Sequence, residues 1–319
     1  MLDNTPFFII GAGRSGTTLL RLILAGHSRL HIPPETWFLR CLVRELPLSG
    51  ELTPAQVSRA VTLMTQDYRW PDMEIAAEDL RRRALDLRAP CLVDIVNLVY
   101  HCHLARTGKS RFGDKTPIYF EIVPQLATLY PGAKFVHLIR DGRDVAISCI
   151  DVDWVRYYER DRFEWTSAMA ARQEYLKSPY ARQILEVRYE DLVCHPERIV
   201  RQICEFLGEQ FEPAMLEWQR LTAMVPERER HIHGKLGQPV SSDNTAVWRR
   251  RLSSLECFAI EACLYRDLKS LGYPLRFHSI GWRPLLSTTG SLLRAAAPIL
   301  RRCIPYLRRR NLIRGMRYI

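Results

Sequence analysis

Short apolar runs alternate along the chain with longer stretches of helical period. Phe7-Phe8-Ile9-Ile10 reads as a buried strand, broken by a glycine-rich turn at Gly11–Gly16. Apolar positions then return at Leu19, Leu20, Ile23 and Leu24, which predicts a helix to about Gly26-His27. Pro33-Pro34 hold the backbone extended, and a helix is expected to start near Glu35 or Thr36. Residues 50–108 read as helical. Thr53-Pro54 supplies a cap and a first-turn proline, Ile75 to Leu87 a charged helix, and Cys91 to Leu104 an apolar one. Arg111 to Thr116 predicts a short strand, followed by a helix to Tyr130 that Pro131-Gly132 stops. Lys134 to Ile139 is a second clear buried strand and runs straight into a helix opening at Arg140-Asp141-Gly142. An aromatic amphipathic helix is expected over residues 154–178, and a further strand from Gln183 ending in Tyr189-Glu190-Asp191. Helices from His195-Pro196 to Gly208 and over residues 253–271 complete the body. Strands alternating with helices predict an α/β fold around a mostly parallel sheet.

Composition adds limits. The 319 residues, 47% hydrophobic and 25% charged, suit one large or two small globular domains. There is no run of 18 apolar residues and no basic leader, so neither a membrane span nor a signal peptide is expected, and the expected location is cytoplasmic. Nine cysteines without a C-x-x-C pair read as buried thiols in a reducing compartment. The net charge of +11 is local, because residues 276–319 hold ten arginines and no acid. The body is therefore near neutral, and no nucleic-acid partner is expected. The basic tail alternates apolar pairs with arginines. It suits either peripheral contact with an anionic membrane or packing on the body with a solvated arginine side.

The chemistry concentrates at Gly11-Ala12-Gly13-Arg14-Ser15-Gly16-Thr17-Thr18. A strand, a glycine turn and a helix N-terminus aim backbone N–H groups at an anion. Three phosphate-site readings compete. The dinucleotide pattern fits Gly11, Gly13 and Gly16, with Glu35 as its acid, but Pro33-Pro34 make a poor second strand. A kinase-type P-loop fits Gly11 and Gly16 but has Thr17 where its lysine belongs. The third reading places the cation inside the loop, at Arg14. Arg140-Asp141-Gly142-Arg143-Asp144 with Ser148 repeats the strand-to-helix arrangement and suggests a ligand with phosphates at two places; a capping turn with internal ion pairs is equally compatible. Lys115 ends a strand, where α/β sheets place ligand contacts, or pairs with Asp114. Glu35 faces the loop's mouth or simply favours a helix dipole. His101-Cys102-His103, and His231 with His233, offer too few convergent ligands for zinc, so no metal is expected.

With these elements placed, the chain resembles the PAPS-dependent sulfotransferases (PAPS, 3′-phosphoadenosine-5′-phosphosulfate) from about residue 6 to residue 272. Gly11 to Leu20 looks like the 5′-phosphosulfate loop. Phe135 to Ser148 looks like the 3′-phosphate strand and helix, with Arg140 and Ser148 as its binding residues. Arg188 to Leu192 looks like the Tyr-Glu-Asp block, whose tyrosine, here Tyr189, lies near adenine. Trp248-Arg249 falls where the family closes a segment over the 3′-phosphate. Lys115-Thr116 is followed by Pro117, so the histidine of the cytosolic small-molecule enzymes is missing. Arg14 in the loop, Glu35-Thr36 and Asp114-Lys115 are more similar to the tyrosylprotein sulfotransferases and their bacterial relatives.

The resemblance implies a P-loop-like three-layer fold. It comprises a sulfotransferase domain over residues 1–275, with a helical acceptor-side insertion at about 50–108, and the tail over 276–319. It implies in-line sulfuryl transfer from PAPS, leaving PAP, to the hydroxyl of a peptide tyrosine, a glycan or a lipid, without metal. Glu35 would be the general base, with Arg14 and Lys115 stabilising charge. Gly13, Arg14, Ser15, Gly16, Thr17 and Thr18 would hold the donor with Arg140, Ser148, Tyr189, Trp248 and Arg249. A homodimer is compatible. The alternatives are an ATP-dependent P-loop kinase and a non-catalytic nucleotide-binding adaptor at a membrane surface.

Overall fold

Phe7 to Ile10 have no exposed surface, and the strand that carries them, β1 (Asp3–Ile10), is the middle one of five. This computed structural model describes residues 3–152, 164–234, 236–237 and 242–277. The expected aromatic residues Trp154, Tyr157, Tyr158 and Phe163, and the tail from 278 onward, lie outside the described residues.

After β1 come α1 (Thr17–Ala25), the two-residue β2 (Leu30–His31) and α2 (Leu39–Glu45). The segment 50–108 folds as α3 (Pro54–Thr65), a 3-10 turn (Trp70–Met73), α4 (Ala77–Leu85) and α5 (Leu92–Thr107). Thr53 caps α3 in a reciprocal box with Gln56. Then follow β3 (Arg111–Lys115), α6 (Val123–Leu129), β4 (Lys134–Ile139), α7 (Gly142–Asp151) and α8 (Glu164–Tyr175). The rest is β5 (Ile184–Arg188), α9 (Tyr189–Cys194), α10 (Pro196–Leu207), α11 (Glu227–Arg230), α12 (Trp248–Arg251) and α13 (Ser254–Ser270). Among the described residues no helix is long and apolar enough to cross a membrane.

Contacts divide the chain into two units, residues 1–139 with 171–240 and residues 140–170 with 241–319. The first holds the sheet, in the order β2-β3-β1-β4-β5, with every neighbouring pair parallel. Parallel neighbours need crossovers, and the crossover helices cover both faces. Alternation along β1 makes this visible. Phe7 and Ile9 pack with Leu20, Ile23, Val200 and Ile203 from α1 and α10. Phe8 faces the other way and stacks on Phe135, while Tyr100 of α5 stacks on Phe112 of β3 at 4.1 Å. Register sets the site: Ile9 pairs with both Lys115 and Val136, so the loop after β1 opens beside the end of β3. The second unit has its own small cluster of Ile147, Trp248 and Cys257.

Two boundaries differ from expectation. No helix begins at Glu35 or Thr36; α2 starts at Leu39, and Trp37 between them has a positive φ of 43°. Thr36 is drawn out of helical geometry by two hydrogen bonds, from its hydroxyl to Asp114 of β3 and from its backbone N–H to Thr116 just after that strand. Tyr189-Glu190-Asp191 opens α9 instead of ending the strand.

Candidate active site

The loop after β1 is shaped by two glycines that admit no side chain. A Cβ on Gly11 would meet the Leu138 carbonyl oxygen at 2.5 Å, and one on Gly16 would meet the Tyr189 ring at 2.5 Å. Gly16 is left-handed (φ 95°) and is the N-cap of α1, with no side chain capping the helix. Arg14 is also left-handed (φ 67°), a strained state for a residue with a side chain. Gly11 N–H donates to the Pro117 carbonyl, tying the turn to the segment after β3. The Ser15 hydroxyl is buried and makes no hydrogen bond among the described residues.

Three predicted residues meet at this turn. Lys115, 1% exposed, donates to the Thr18 hydroxyl at 3.3 Å and forms an ion pair with Glu35 Oε1. Glu35 Oε2 accepts a 2.7 Å hydrogen bond from the Trp37 indole. Burial opposes ionisation of Glu35. The Lys115 ammonium, the Trp37 N–H and the nearby Arg69 outweigh it and hold the carboxyl below the usual range. Glu35 is therefore not a first-turn helix residue. Nor does Lys115 pair with Asp114, because successive strand residues point to opposite faces. Asp114 instead accepts from Tyr100 at 2.6 Å, Thr36 at 2.7 Å and Thr116 at 2.8 Å. Burial pushes its carboxyl up while those donors pull it down, and the rise prevails. The Thr36 N–H donates to Thr116 at 3.1 Å, and Tyr119 OH lies 2.6 Å from the Thr36 hydroxyl. This buried network fixes Thr36, and through it the carboxylate one residue earlier.

Arg14 donates to the Ile232 carbonyl at 2.9 Å, and His233 Nε2 lies 3.4 Å from the Thr18 hydroxyl. Burial, then Lys115 and Arg14, lower the His233 pKa to about 3, so the ring is neutral. Glu229, on the same segment, is pushed up by burial and by Glu35. The Arg69 guanidinium lies 4.2 Å from the Trp37 ring and 4.1 Å from that of Tyr68, which is 67% exposed. Sequence reasoning missed Trp37, Arg69, Glu229 and His233. Only His233 drew notice, as a weak zinc candidate. Among the described residues no group of three or more histidine, cysteine or acidic side chains converges to hold a metal.

Gly13, Thr17 and Tyr189 belong to the same unit, with Tyr189 closing on Gly16. Arg140, Ser148, Trp248 and Arg249 belong to the second unit. There Arg140 donates to the Asn244 carbonyl at 2.8 Å, and Ser148 is half-buried on α7. Arg143 forms one internal ion pair of a capping turn, with Asp141 at 2.7 Å, and a second, non-local pair with Glu261 of α13 at 2.5 Å. Its guanidinium stacks 3.7 Å from the buried Trp248 ring, whose N–H end of the backbone donates to Asp144. Arg249 is exposed, 4.8 Å from the same ring.

A parallel sheet with a glycine turn at its carboxyl edge, leading into a helix without a side-chain cap and lying beside a buried lysine, defines a P-loop-like α/β fold. The chain belongs to the sulfotransferase family, whose family model matches residues 6–213. It is similar to nodulation protein NoeE of Sinorhizobium fredii, 26% identical over 303 residues and 83% of this chain. It is also similar to protein-tyrosine sulfotransferase A of Caenorhabditis elegans, 27% identical over 227 residues and 68% of this chain. The chain spans 65% and 54% of these two relatives' lengths, and 27% of an uncharacterised Aquifex aeolicus protein that matches 68% of it. The sulfotransferase domain of the Synechococcus PCC 7002 olefin synthase superposes with a TM-score of 0.63 at 23% identity, over 86% of this chain and 97% of that one, which establishes the fold.

Proposed function

We propose that the protein transfers a sulfuryl group from PAPS to an acceptor hydroxyl, with Glu35 taking the hydroxyl proton. The observation that carries this reading is the ion pair of Glu35 with Lys115 at the mouth of the glycine turn. The turn suits an anionic donor. Gly11 and Gly16 let the backbone come close, no side chain caps α1, and the Ser15 hydroxyl is a buried group awaiting a partner. Gly13, Arg14, Ser15, Gly16, Thr17 and Thr18 would hold the 5′-phosphosulfate, and Tyr189 would lie near adenine. Assignment of Arg140 and Ser148 to the 3′-phosphate, and of Trp248 and Arg249 to a segment over it, rests on the sequence blocks. When bound, PAPS supplies the sulfuryl group and PAP as the leaving group.

The chain's own part is positioning and charge. Arg14 brings a guanidinium and Lys115 an amine paired with Glu35 to a preorganised place, where such groups stabilise spreading negative charge at little reorganisation cost. Glu35 is ionised, as a base must be. Its Oε1 is engaged by Lys115, so turning of Lys115 toward a bound anion would free that oxygen and raise its basicity. The favoured acceptor is a peptide tyrosine, in line with the named activity of the worm relative.

A transfer screen with radiolabelled PAPS against peptides, glycans and lipids tests the activity, and a labelled tyrosyl peptide is the expected outcome. Protection by ATP with magnesium but not by PAP in thermal melts would instead indicate a kinase. Arg140→Ala should weaken PAP far more than 5′-AMP in calorimetry; equal losses would refute its 3′-phosphate role.

A further inference from the structure

The segment from Pro226 to Gly234 follows the family-matched residues and lies on the glycine turn. It is held at both ends. Arg228 of α11 pairs with Asp72, and the Ile232 carbonyl takes the hydrogen bond from Arg14. Between them the segment delivers one ring to the site. His233 Nε2 shares the Thr18 hydroxyl with Lys115 Nζ. Thr18, Lys115 and His233 thus form one hydrogen-bonded group beside the Arg14 contact, with Glu35 joined to it through Lys115.

The chemistry of that ring is restricted. The charged groups acting on it are Lys115, Arg14 and Arg21, which disfavour a further positive charge, and Glu35, which only partly offsets them. It stays neutral well below pH 7, so it is a poor proton acceptor. A neutral imidazole still has one N–H to donate, with the tautomer set by its hydrogen-bond partners. Such a donor stabilises developing negative charge without adding a fourth cation to a site that must release a polyanion.

We propose that His233 donates a ring N–H hydrogen bond to the sulfuryl group during transfer, as a catalytic charge-stabilising residue distinct from the base. This rests on the PAPS reading above and adds to it a residue that lies outside the family-matched region. The role differs from general base catalysis in what can replace the ring. Glutamine also offers an N–H at comparable reach and cannot accept the proton.

The test uses the full chain with His233→Ala and His233→Gln. The alanine variant should lose about 10²-fold in kcat, the usual worth of one such donor, and glutamine should restore most of it. Calorimetry should show PAP binding kept within about twofold in both, because PAP lacks the sulfuryl group. A readout independent of turnover is the 15N spectrum of the labelled imidazole. Adding PAPS should move the His233 ring nitrogens, adding PAP should move them less, and the ring should stay neutral in both. Wild-type kcat in His233→Ala, or a ring untouched by PAPS, overturns the proposal. So does a glutamine variant as slow as alanine, which would make His233 a proton acceptor. If the wild-type chain binds neither PAPS nor PAP, the donor reading itself fails; if it binds both and the ring does not respond, only the role of His233 falls.

Discussion

Glu35 and Lys115 differ from a surface ion pair in their surroundings. Lys115 is buried, and both oxygens of Glu35 are engaged, by Lys115 and by Trp37. Removing one member leaves the other as an uncompensated charge, so loss of either is felt well beyond the contact itself. Glu35→Gln keeps the shape and the Trp37 contact but cannot take a proton. Turnover should fall roughly 10²–10⁴-fold, the typical worth of a general base, with PAP affinity retained. Full activity in that variant, measured under saturating donor and acceptor, would remove Glu35 from the mechanism. Both residues stood as candidates in the sequence, Glu35 by its distance from the loop and Lys115 by its place at a strand end, each beside a bland alternative that only the family resemblance outweighed. Their partnership was not legible there. It depends on Ile9 pairing with Lys115 in the sheet and on Asp114 holding Thr36, and neither contact is local in the chain.

At the scale of elements, the strand–turn–helix of residues 7–25 was read correctly because glycines and apolar periodicity mark both ends of the turn. What the glycines meet was not readable. Gly16 sits against a ring 173 residues away in sequence, Tyr189, while its own φ of 95° suits only glycine. Gly16→Ala should therefore deform the turn. A strain of about 1–3 kcal/mol at such a position corresponds to a roughly fivefold to 150-fold loss of PAP affinity by calorimetry. An alanine variant that binds PAP as the wild type does would show that this turn does not form the donor site. The misplaced start of α2 has a related cause. Pro33-Pro34 followed by acidic and hydroxyl residues is a common helix opening, but here a buried carboxylate on β3 claims the Thr36 hydroxyl. The two-residue β2 carried no period to read.

For the whole molecule, the α/β class was legible from alternation, whereas the order β2-β3-β1-β4-β5 was not, since parallel neighbours are set by crossovers. Among the described residues four histidines beyond the site are buried, His27, His31, His103 and His137, and burial shifts the last three. Burial lowers His31 and His137 to about 3 and His103 to about 4, with His31 stacked on His103 at 5.3 Å. In the unfolded chain all three titrate near 6.5. Below that pH the unfolded state binds more protons than the folded one, so acid favours unfolding. Above it the three contribute no pH dependence. The unfolding free energy from urea titrations should hold steady from pH 8 to 7 and then fall between pH 6.5 and 4, by up to about 1.4 kcal/mol per pH unit for each histidine, with the midpoint falling in step. A midpoint as high at pH 5 as at pH 7.5 would show that these rings are not held neutral.

Trp37 carries a consequence of its own. Its indole donates to Glu35 and lies against Arg69, so its excited state senses the local field of both. The chain has seven tryptophans, and subtracting the emission of Trp37→Phe isolates this one. Its colour is then an optical gauge of whether Lys115 still grips the neighbouring carboxylate or has let it go.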